Sequence, residues 1–231
     1  MSSSSPLIVV VNHKAANIHS VDKALQRVGA NAIVSSSADD LASASAAVLP
    51  GVGSSDAAMR ALRKLDLIEP LKDFAASGRP LLGVCLGMQL LFDSSEEGDM
   101  PGLGLIPGVV KRMAPTADGA SRKIPHMGWN SVRLLGNRAG NRSGDRGFGH
   151  RLFDGARQNS YFYFVHSYEC VPADPDDVLA TTEYGTTICA AAGRGNVMGT
   201  QFHPEKSQDL GLRLYENFLL MASGREKSAR S

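Results

Sequence analysis

Hydrophobic positions in the first half of the chain alternate between continuous runs and helical spacing. Continuous apolar runs, which are typical of strands buried on both faces, lie at 7–11, 33–35, 46–49 and 80–84. Segments with apolar residues at helical spacing follow these runs, at 18–28, 56–65, 67–76 and 86–92. Because strands and helices alternate, this half predicts a parallel sheet sandwiched between helices.

The second half is richer in strands. After about Gly104 the pattern predicts strands with few helices between them, at 109–113, 131–134, 161–168, 178–183, 186–192 and 196–202. A last amphipathic helix is predicted at 210–222. We therefore expect an α/β fold with a central mixed, mainly parallel sheet, in a single domain over 6–222.

Two segments are predicted to lie outside the packed core. Three four-residue units of the type G-N/D-R-x begin at Gly136, and they predict a flexible insert over 136–150 because they offer little apolar surface to bury. The tail at 223–231 is predicted to be disordered. An Arg/Gly tract can bind nucleic acid, but three arginines accompanied by an aspartate are a weak basis for such a partner.

Composition excludes several classes of protein. A hydrophobic content of 43%, a charged content of 20% and a net charge of +1 are ordinary for a globular protein, so we expect neither a nucleic-acid nor a membrane partner. The longest apolar stretch, 81–92, is too short to cross a bilayer, and the first residues lack the features of a secretory signal. We expect a cytoplasmic protein.

Cysteine usage agrees with a reducing compartment. The three cysteines are odd in number and show no C-x-x-C spacing, so neither a disulfide framework nor a zinc cluster is indicated. His126 and His166 lack a carboxylate at metal-ligand spacing, which favours hydrogen-bonding or packing roles for both. No metal and no organic cofactor is predicted.

The first candidate for chemistry is Cys85. It lies in the pentapeptide Gly83-Val84-Cys85-Leu86-Gly87, between a predicted strand and a predicted helix. Where a strand turns abruptly into a helix, backbone crowds against backbone, and glycines avoid the clash. The pattern indicates a nucleophile elbow built around a thiol, although a buried cysteine that merely packs remains the alternative.

A reactive thiol needs a base, and the base needs an orienting group. His203-Pro204-Glu205 can supply both at the end of a predicted strand. In an extended segment residues i and i+2 point the same way, so we expect the Glu205 carboxylate to reach one nitrogen of the His203 imidazole. His203 is then the predicted base and Glu205 its orienter.

A third element is the turn Pro50-Gly51-Val52-Gly53, directly after the strand at 46–49. Attack of sulfur on a carbonyl creates an oxyanion, which backbone N–H groups can stabilise. Val52 and Gly53 are candidate donors from this turn, and Leu86 is the candidate donor from the elbow. A simple strand-to-helix turn would show the same sequence.

Five motifs together resemble a known family. The segments 83–91 (GVCLGMQLL) and 199–207 (GTQFHPEKS) are similar to the class I glutamine amidotransferases. The segments 50–53 (PGVG), 127–130 (MGWN) and 163–168 (YFVHSY) resemble, within them, the glutaminase subunits of imidazole glycerol phosphate synthases. The resemblance covers about residues 7–222 and implies a three-layer, flavodoxin-like fold.

The resemblance also implies roles for individual residues. Cys85, His203 and Glu205 would hydrolyse the amide of glutamine through a thioester, with Gln89, Ser167 and Tyr168 holding the substrate. Ammonia would pass to a separate cyclase subunit, which converts PRFAR to imidazole glycerol phosphate and AICAR in histidine biosynthesis. The positions that would contact this partner in a heterodimer are Asn17, Trp129, Tyr163 and Lys206.

The sequence leaves alternatives open. The chain could be the glutaminase component of anthranilate or aminodeoxychorismate synthase, a non-catalytic interaction subunit of the same fold, or a cysteine hydrolase that acts on esters or peptides. It also departs from the family pattern after the first strand, where 11–17 reads VNHKAAN in place of a glycine-rich turn.

Overall fold

The fold is built around a nine-stranded sheet. The computed structural model describes residues 5–14, 17–117, 120–135 and 150–224. Its strands are β1 (Leu7–Val11), β2 (Asn31–Ser35), β3 (Ala46–Gly51), β4 (Leu81–Cys85), β5 (Ser94–Ser95), β6 (Gly108–Arg112), β7 (Thr116–Ala117), β8 (Ala120–Ser121), β9 (His126–Leu134), β10 (Ser160–His166), β11 (Tyr168–Pro172), β12 (Val178–Glu183), β13 (Thr187–Arg194) and β14 (Val197–Thr200). Its helices are α1 (Ile18–Arg27), α2 (Ala38–Ser43), α3 (Ser55–Lys64), α4 (Ile68–Ala76), α5 (Leu86–Leu90) and α6 (Gln208–Ala222).

The large sheet has a parallel half and an antiparallel half. Its strand order is β10-β9-β12-β13-β14-β4-β3-β1-β2. The neighbours from β14 to β2 run parallel, whereas those from β14 to β10 run antiparallel. A smaller sheet has the order β11-β6-β5. The predicted fold class, with a central mixed sheet and parallel core strands, is confirmed.

Alternate residues of the central strands face two separate hydrophobic cores. Ile8 and Val10 of β1 belong to the core under α1 and α6, and Val9 and Val11 belong to the core under α3 and α4. All four side chains are almost completely buried. Because a strand buried on both faces needs apolar residues at every position, β1 reads as an unbroken apolar run. The result is three layers.

The turn from β4 into α5 brings backbone against backbone. A Cβ atom on Gly83 would lie 2.6 Å from the Gly87 carbonyl oxygen, and one on Gly87 would overlap the Leu49 carbonyl oxygen of β3. Between these glycines, Cys85 has φ 55° and ψ −108°, a sparsely populated conformation for a residue with a side chain. The predicted crowding at the elbow is therefore present.

Several sequence-based boundaries were wrong. The segment predicted as one strand at 161–168 is two strands, because Ser167 separates β10 in the large sheet from β11 in the small one. The predicted helix at 86–92 ends at Leu90, and the short helix α2 was missed because its six residues contain a single buried position, Leu41. The strand predicted at 131–134 begins earlier, at His126.

The predicted insert and tail fall almost entirely outside the described residues. Of the segment 136–150 only His150 is described, and of the segment 223–231 only Ser223 and Gly224. Among the described residues, every helix is too short or too polar to cross a membrane.

Alanine at Gly87 should destabilise the fold more than alanine at Gly51. At Gly51 the added Cβ would lie 3.0 Å from the Leu86 Cβ and 3.2 Å from the Gly87 nitrogen, which are tight contacts, whereas at Gly87 it would overlap the Leu49 carbonyl oxygen of β3. We expect Gly87→Ala to lower the free energy of unfolding by about 3 kcal/mol and Gly51→Ala by about 1 kcal/mol. Denaturant unfolding measures both, and equal midpoints for the two variants would contradict this account of the elbow.

Candidate active site

Three adjacent parallel strands bring the predicted chemical groups to one edge of the sheet. β4 lies between β3 and β14, with Gly51 opposite Cys85 and Thr200 opposite Val84. Cys85 ends β4, and His203 follows β14 by three residues. The carboxyl ends of parallel strands form the edge at which α/β proteins bind ligands. The thiol, the imidazole and the glycine-rich turn after β3 therefore meet there.

His203 and Glu205 form a buried pair. Nδ1 of His203 lies 2.7 Å from Oε1 of Glu205, and both side chains are inaccessible to solvent. The contact was expected, but its geometry was predicted wrongly: Pro204–Lys206 is a turn of 3-10 helix, so an extended backbone does not align the two side chains. The His203 backbone is fixed from β10, because its N–H donates to the Tyr163 carbonyl at 2.9 Å.

The charges around His203 favour its protonated form. Burial alone would lower the pKa of His203, but the neighbouring Cys85 thiol and the Glu205 carboxylate outweigh it and raise that pKa to about 10. Burial alone would raise the pKa of Glu205, but the hydrogen bond and charge of His203 bring it below its usual value. The imidazole can thus hold a proton that it takes from the neighbouring sulfur.

The outer nitrogen of His203 is available for proton transfer. Nε2 of His203 is buried, and within the described part of the chain it has no partner at ordinary hydrogen-bond distance. A general base or acid needs such a nitrogen next to the reacting group, and its hydrogen bonds often tighten only when substrate is bound. Glu205 occupies the opposite nitrogen and so fixes the orientation of the ring.

Two further residues hold Glu205, and no sequence pattern indicated this role for either. Asn17, predicted at a partner interface, donates from Nδ2 to Oε1 of Glu205 at 2.6 Å. The buried Tyr215 hydroxyl lies 3.5 Å from Oε2 of Glu205. Asn17 is 188 positions away from Glu205, so no local spacing could have revealed the contact. The carboxylate is held on both oxygens.

A pocket of about 410 Å³ opens beside the thiol. It contains all of the residues predicted as oxyanion donors or substrate ligands, and its lining is Val52, Gly53, Cys85, Leu86, Gln89, Glu97, Pro125, Val165, His166, Ser167 and Tyr168. Glu97 was missed because it lies in a polar stretch, SSEEGD, that carries no motif. Its Oε2 accepts a hydrogen bond from the Ser55 N–H at 2.7 Å, which fixes a negative group in the pocket wall.

Amide side chains lie directly behind the thiol. Gln89 donates from Nε2 to the Tyr168 carbonyl at 3.3 Å and to Oε1 of Gln201 at 3.1 Å. Gln201 in turn directs its Nε2 at the Cys85 sulfur, 3.8 Å away. Gln201 is fully buried and was missed, although it lies two residues before His203. The sulfur therefore has a polar contact with a fully buried amide that is not part of the pocket lining.

Three of the predicted interface residues lie together on a surface that carries an exposed apolar patch. Trp129 and Tyr163 are paired across β9 and β10 and their rings meet edge to face, 6.1 Å between centroids. Nζ of Lys206 lies 5.8 Å from the Tyr163 ring centroid. Met127 is 61% exposed and Tyr161 is 59% exposed on the same pair of strands. We call this surface, with residues Met127, Trp129, Tyr161 and Tyr163, the apolar patch.

The other two cysteines have raised pKa values. Burial raises the pKa of Cys170 well above its usual value, and burial raises the pKa of Cys189 to about 12. Both lie in strands and are free thiols. In the described residues, no group of histidine, cysteine and carboxylate side chains is arranged to hold a metal ion.

Comparison with known proteins places the chain among amidotransferases. The family model described as glutamine amidotransferase class-I matches residues 9–222. The imidazole glycerol phosphate synthase subunit HisH of Trichormus variabilis is 42% identical over 97% of this chain and 99% of its own length. The HisH subunit of Acaryochloris marina is 46% identical over 93% and 94%, and that of Geobacillus thermodenitrificans is 44% identical over 95% and 98%.

Solved structures with low sequence identity share the fold. A putative GMP synthase subunit from Thermoplasma acidophilum has a TM-score of 0.67 at 19% identity, and each chain covers 96% of the other. The glutaminase domain of CTPS from Trypanosoma brucei, solved with acivicin bound, has a TM-score of 0.61 at 17% identity, with 96% of each chain covered.

Alkylation should distinguish Cys85 from the other thiols. Because Cys85 lies beside His203 and lines the pocket, whereas burial raises the pKa of Cys170 and that of Cys189, iodoacetamide at neutral pH should label Cys85 first. We expect His203→Ala to slow this labelling about tenfold and the exposed control His19→Ala to leave it unchanged. Peptide mass spectrometry gives the rates, and labelling of the folded protein at Cys170 or Cys189 ahead of Cys85 would sink the assignment.

Proposed function

Because the chain belongs to the class I glutamine amidotransferase family and, within it, to the HisH subunits of imidazole glycerol phosphate synthase, we propose that it hydrolyses glutamine to glutamate and ammonia. Residues 6–222 form the amidotransferase domain in this proposal. The observation that carries it is the buried His203–Glu205 pair beside the elbow thiol of Cys85. The pathway served is histidine biosynthesis.

The reaction begins with the thiol of Cys85. The sulfur gives its proton to Nε2 of His203 and attacks the side-chain carbonyl carbon of glutamine. His203 then donates that proton to the departing nitrogen, so ammonia leaves and a glutamyl thioester remains on Cys85. A water molecule loses a proton to His203 and attacks the thioester, which releases glutamate and restores the thiol.

Glu205 orients and supports the base through both half-reactions. Its carboxylate holds Nδ1 of His203 at 2.7 Å and stabilises the imidazolium that forms twice in each cycle. Asn17 donates to the same carboxylate, which keeps Glu205 ionised and in place. The triad proposed here is therefore supported by a residue from the turn that follows β1.

The negative charge on the carbonyl oxygen needs donors at the edge of the pocket. We assign this role to the peptide N–H groups of Leu86 and of the turn at Val52 and Gly53. Gly53 has φ 94°, a conformation that glycine adopts easily, so the turn can present its peptide groups towards the pocket. Donors of this kind, once held in place, supply a large part of the catalysis in acyl transfer.

The polar residues of the pocket match the polar groups of free glutamine. Of the lining residues, Glu97 carries the one carboxylate, and we assign it to the α-ammonium group of glutamine. Gln89 and the backbone at Ser167 and Tyr168 are assigned to the rest of the substrate. A site with a fixed charged group and amide donors discriminates against analogues that lack a matching group.

Ammonia made at this site has to reach an acceptor without being protonated by water. We propose that it passes directly to a separate cyclase subunit, which uses it to convert PRFAR to imidazole glycerol phosphate and AICAR. The apolar patch is the assigned docking surface, because a contiguous exposed apolar surface on a folded domain is typical of a protein interface. Lys206 lies beside Tyr163 of the patch, and the similarity to HisH subunits favours this partner over anthranilate or aminodeoxychorismate synthase.

Glutamate production with and without the cyclase subunit tests this function. We expect slow hydrolysis of glutamine by the chain alone and at least about tenfold faster hydrolysis when the cyclase and its nucleotide ligand are added, since binding can complete the oxyanion site. Cys85→Ala should abolish the activity in both conditions, because no thioester can form.

A variant of the apolar patch serves as the control for docking. Met127→Ser combined with Trp129→Ser should leave the basal rate unchanged and require about tenfold more cyclase for half-maximal stimulation. Glutamine hydrolysis by Cys85→Ala at the unsubstituted rate, or full stimulation by an unrelated synthase in place of the cyclase, would refute the proposed function.

A further inference from the structure

His166 connects the pocket to a buried histidine, His126, that takes no part in the chemistry described above. His166 lines the pocket and is almost completely buried. Its Nδ1 lies 2.8 Å from the Tyr168 carbonyl oxygen, and its Nε2 lies 2.9 Å from Nδ1 of His126. The Tyr168 carbonyl also accepts from Nε2 of Gln89, so two donors hold one carbonyl in the pocket wall.

Asn130 lies at the other end of this series of hydrogen bonds, next to His126. The Ser131 N–H donates to Oδ1 of Asn130 at 2.8 Å, and Nδ2 of Asn130 donates to the Glu183 carbonyl at 2.8 Å. These two bonds identify which atom of the Asn130 amide is the oxygen and which is the nitrogen. Nδ2 of Asn130 also lies 3.2 Å from Nε2 of His126, and an amide nitrogen can only donate.

The two groups at the ends of this hydrogen-bond chain, the Asn130 amide and the Tyr168 carbonyl, determine the direction of every hydrogen bond between them. A carbonyl only accepts, so His166 carries its proton on Nδ1, and Nε2 is then the acceptor of the neutral ring. At the other end, Nε2 of His126 must accept from Asn130, so His126 also carries its proton on Nδ1. Both assignments require Nδ1 of His126 to donate to Nε2 of His166, and the two ends agree.

A second proton on the His126 or the His166 ring would break this series of hydrogen bonds. An imidazolium donates from both nitrogens, so a charged His126 would direct a hydrogen at the Asn130 amide hydrogens, and a charged His166 would direct one at the His126 ring. The surroundings favour neutral rings. His126 is stacked between Phe164 and Tyr184, at 4.6 and 4.0 Å between centroids. Burial lowers the pKa of His126 to about 4 and that of His166 to about 3.

We propose that His126 and His166 are positioning residues for the glutamine pocket, acting through a one-directional chain of hydrogen bonds from Asn130 to the Tyr168 carbonyl. This inference rests on the proposed function, since the pocket is taken to hold glutamine. Asn130 and His126 lie on β9, the strand whose opposite face carries Met127 and Trp129 of the apolar patch. The chain thus joins the strand of the proposed docking surface to the substrate pocket.

Two substitutions of His166 separate its two nitrogens. Asparagine places an amide near the position of Nδ1 and can still donate to Tyr168, whereas glutamine places it near Nε2 and loses that donor. In the complex with the cyclase and its ligand, we expect His166→Gln to raise the KM for glutamine about tenfold with less than about a twofold change in kcat. His166→Asn should stay within about threefold of the unsubstituted KM. His150→Asn, outside the pocket, is the matched control and should leave both constants unchanged.

The protonation pattern is measured directly in the unsubstituted chain. A long-range proton–nitrogen NMR spectrum, with signals assigned by their loss in the histidine variants, should show His126 and His166 neutral at pH 7 with the proton on Nδ1. A proton on Nε2 of His166, an imidazolium at pH 7, or equal KM values for the asparagine and glutamine variants would overturn the proposal.

The kinetic measurements and the NMR spectrum together separate a failure of this inference from a failure of the proposed function. If the unsubstituted complex makes no glutamate, the proposed function fails, and the spectrum still decides whether the hydrogen-bond chain exists. If His166→Gln does not fold, the spectrum of the unsubstituted chain and the KM of His166→Asn decide the matter.

Discussion

The close approach of the β4–α5 turn to β3 is the contact on which the rest of the site depends. The approach requires the absence of a side chain at Gly87, and the turn itself requires the absence of one at Gly83. This packing holds Cys85 at φ 55°. A residue in such a conformation persists because the surrounding packing fixes it. The same packing sets the sulfur beside the loop after β14, which carries His203, and beside the turn after β3. Loss of this contact would separate the nucleophile from both.

The second constraint comes from burial. Each buried polar group of the site needs a hydrogen-bond partner within the protein. An isolated buried charge costs several kcal/mol, so an ionised Glu205 is stable only because His203 and Asn17 hydrogen-bond to it. The neutral histidines, His126 and His166, solve the same problem in another way, by donating in one direction along a chain. Charge lies at the reacting group, and neutral hydrogen bonds hold the Tyr168 carbonyl in the wall of the pocket.

Sequence patterns predicted those features that depend on local spacing. The strand-turn-helix at Cys85 and the alternation of strands and helices that gives a parallel sheet follow from apolar runs and glycines, because a doubly buried strand and a tight turn leave few alternatives. The break at Ser167 was missed, since a strand that leaves one sheet for another keeps its apolar character. Contacts such as Asn17 with Glu205 join residues that only tertiary packing brings together. The amide of Gln201 behind the sulfur was missed for the same reason.

The central claim is that Cys85 forms a covalent intermediate with the substrate, supported by His203 and Glu205. Rapid acid quenching of the complex with glutamine, followed by peptide mass spectrometry, tests it most directly. The account predicts a glutamyl thioester on the peptide that contains Cys85 and none on the peptides that contain the other two cysteines. Turnover of glutamine with Cys85 unmodified at every time point, or a glutamyl group on Cys170 or Cys189 instead, would contradict it.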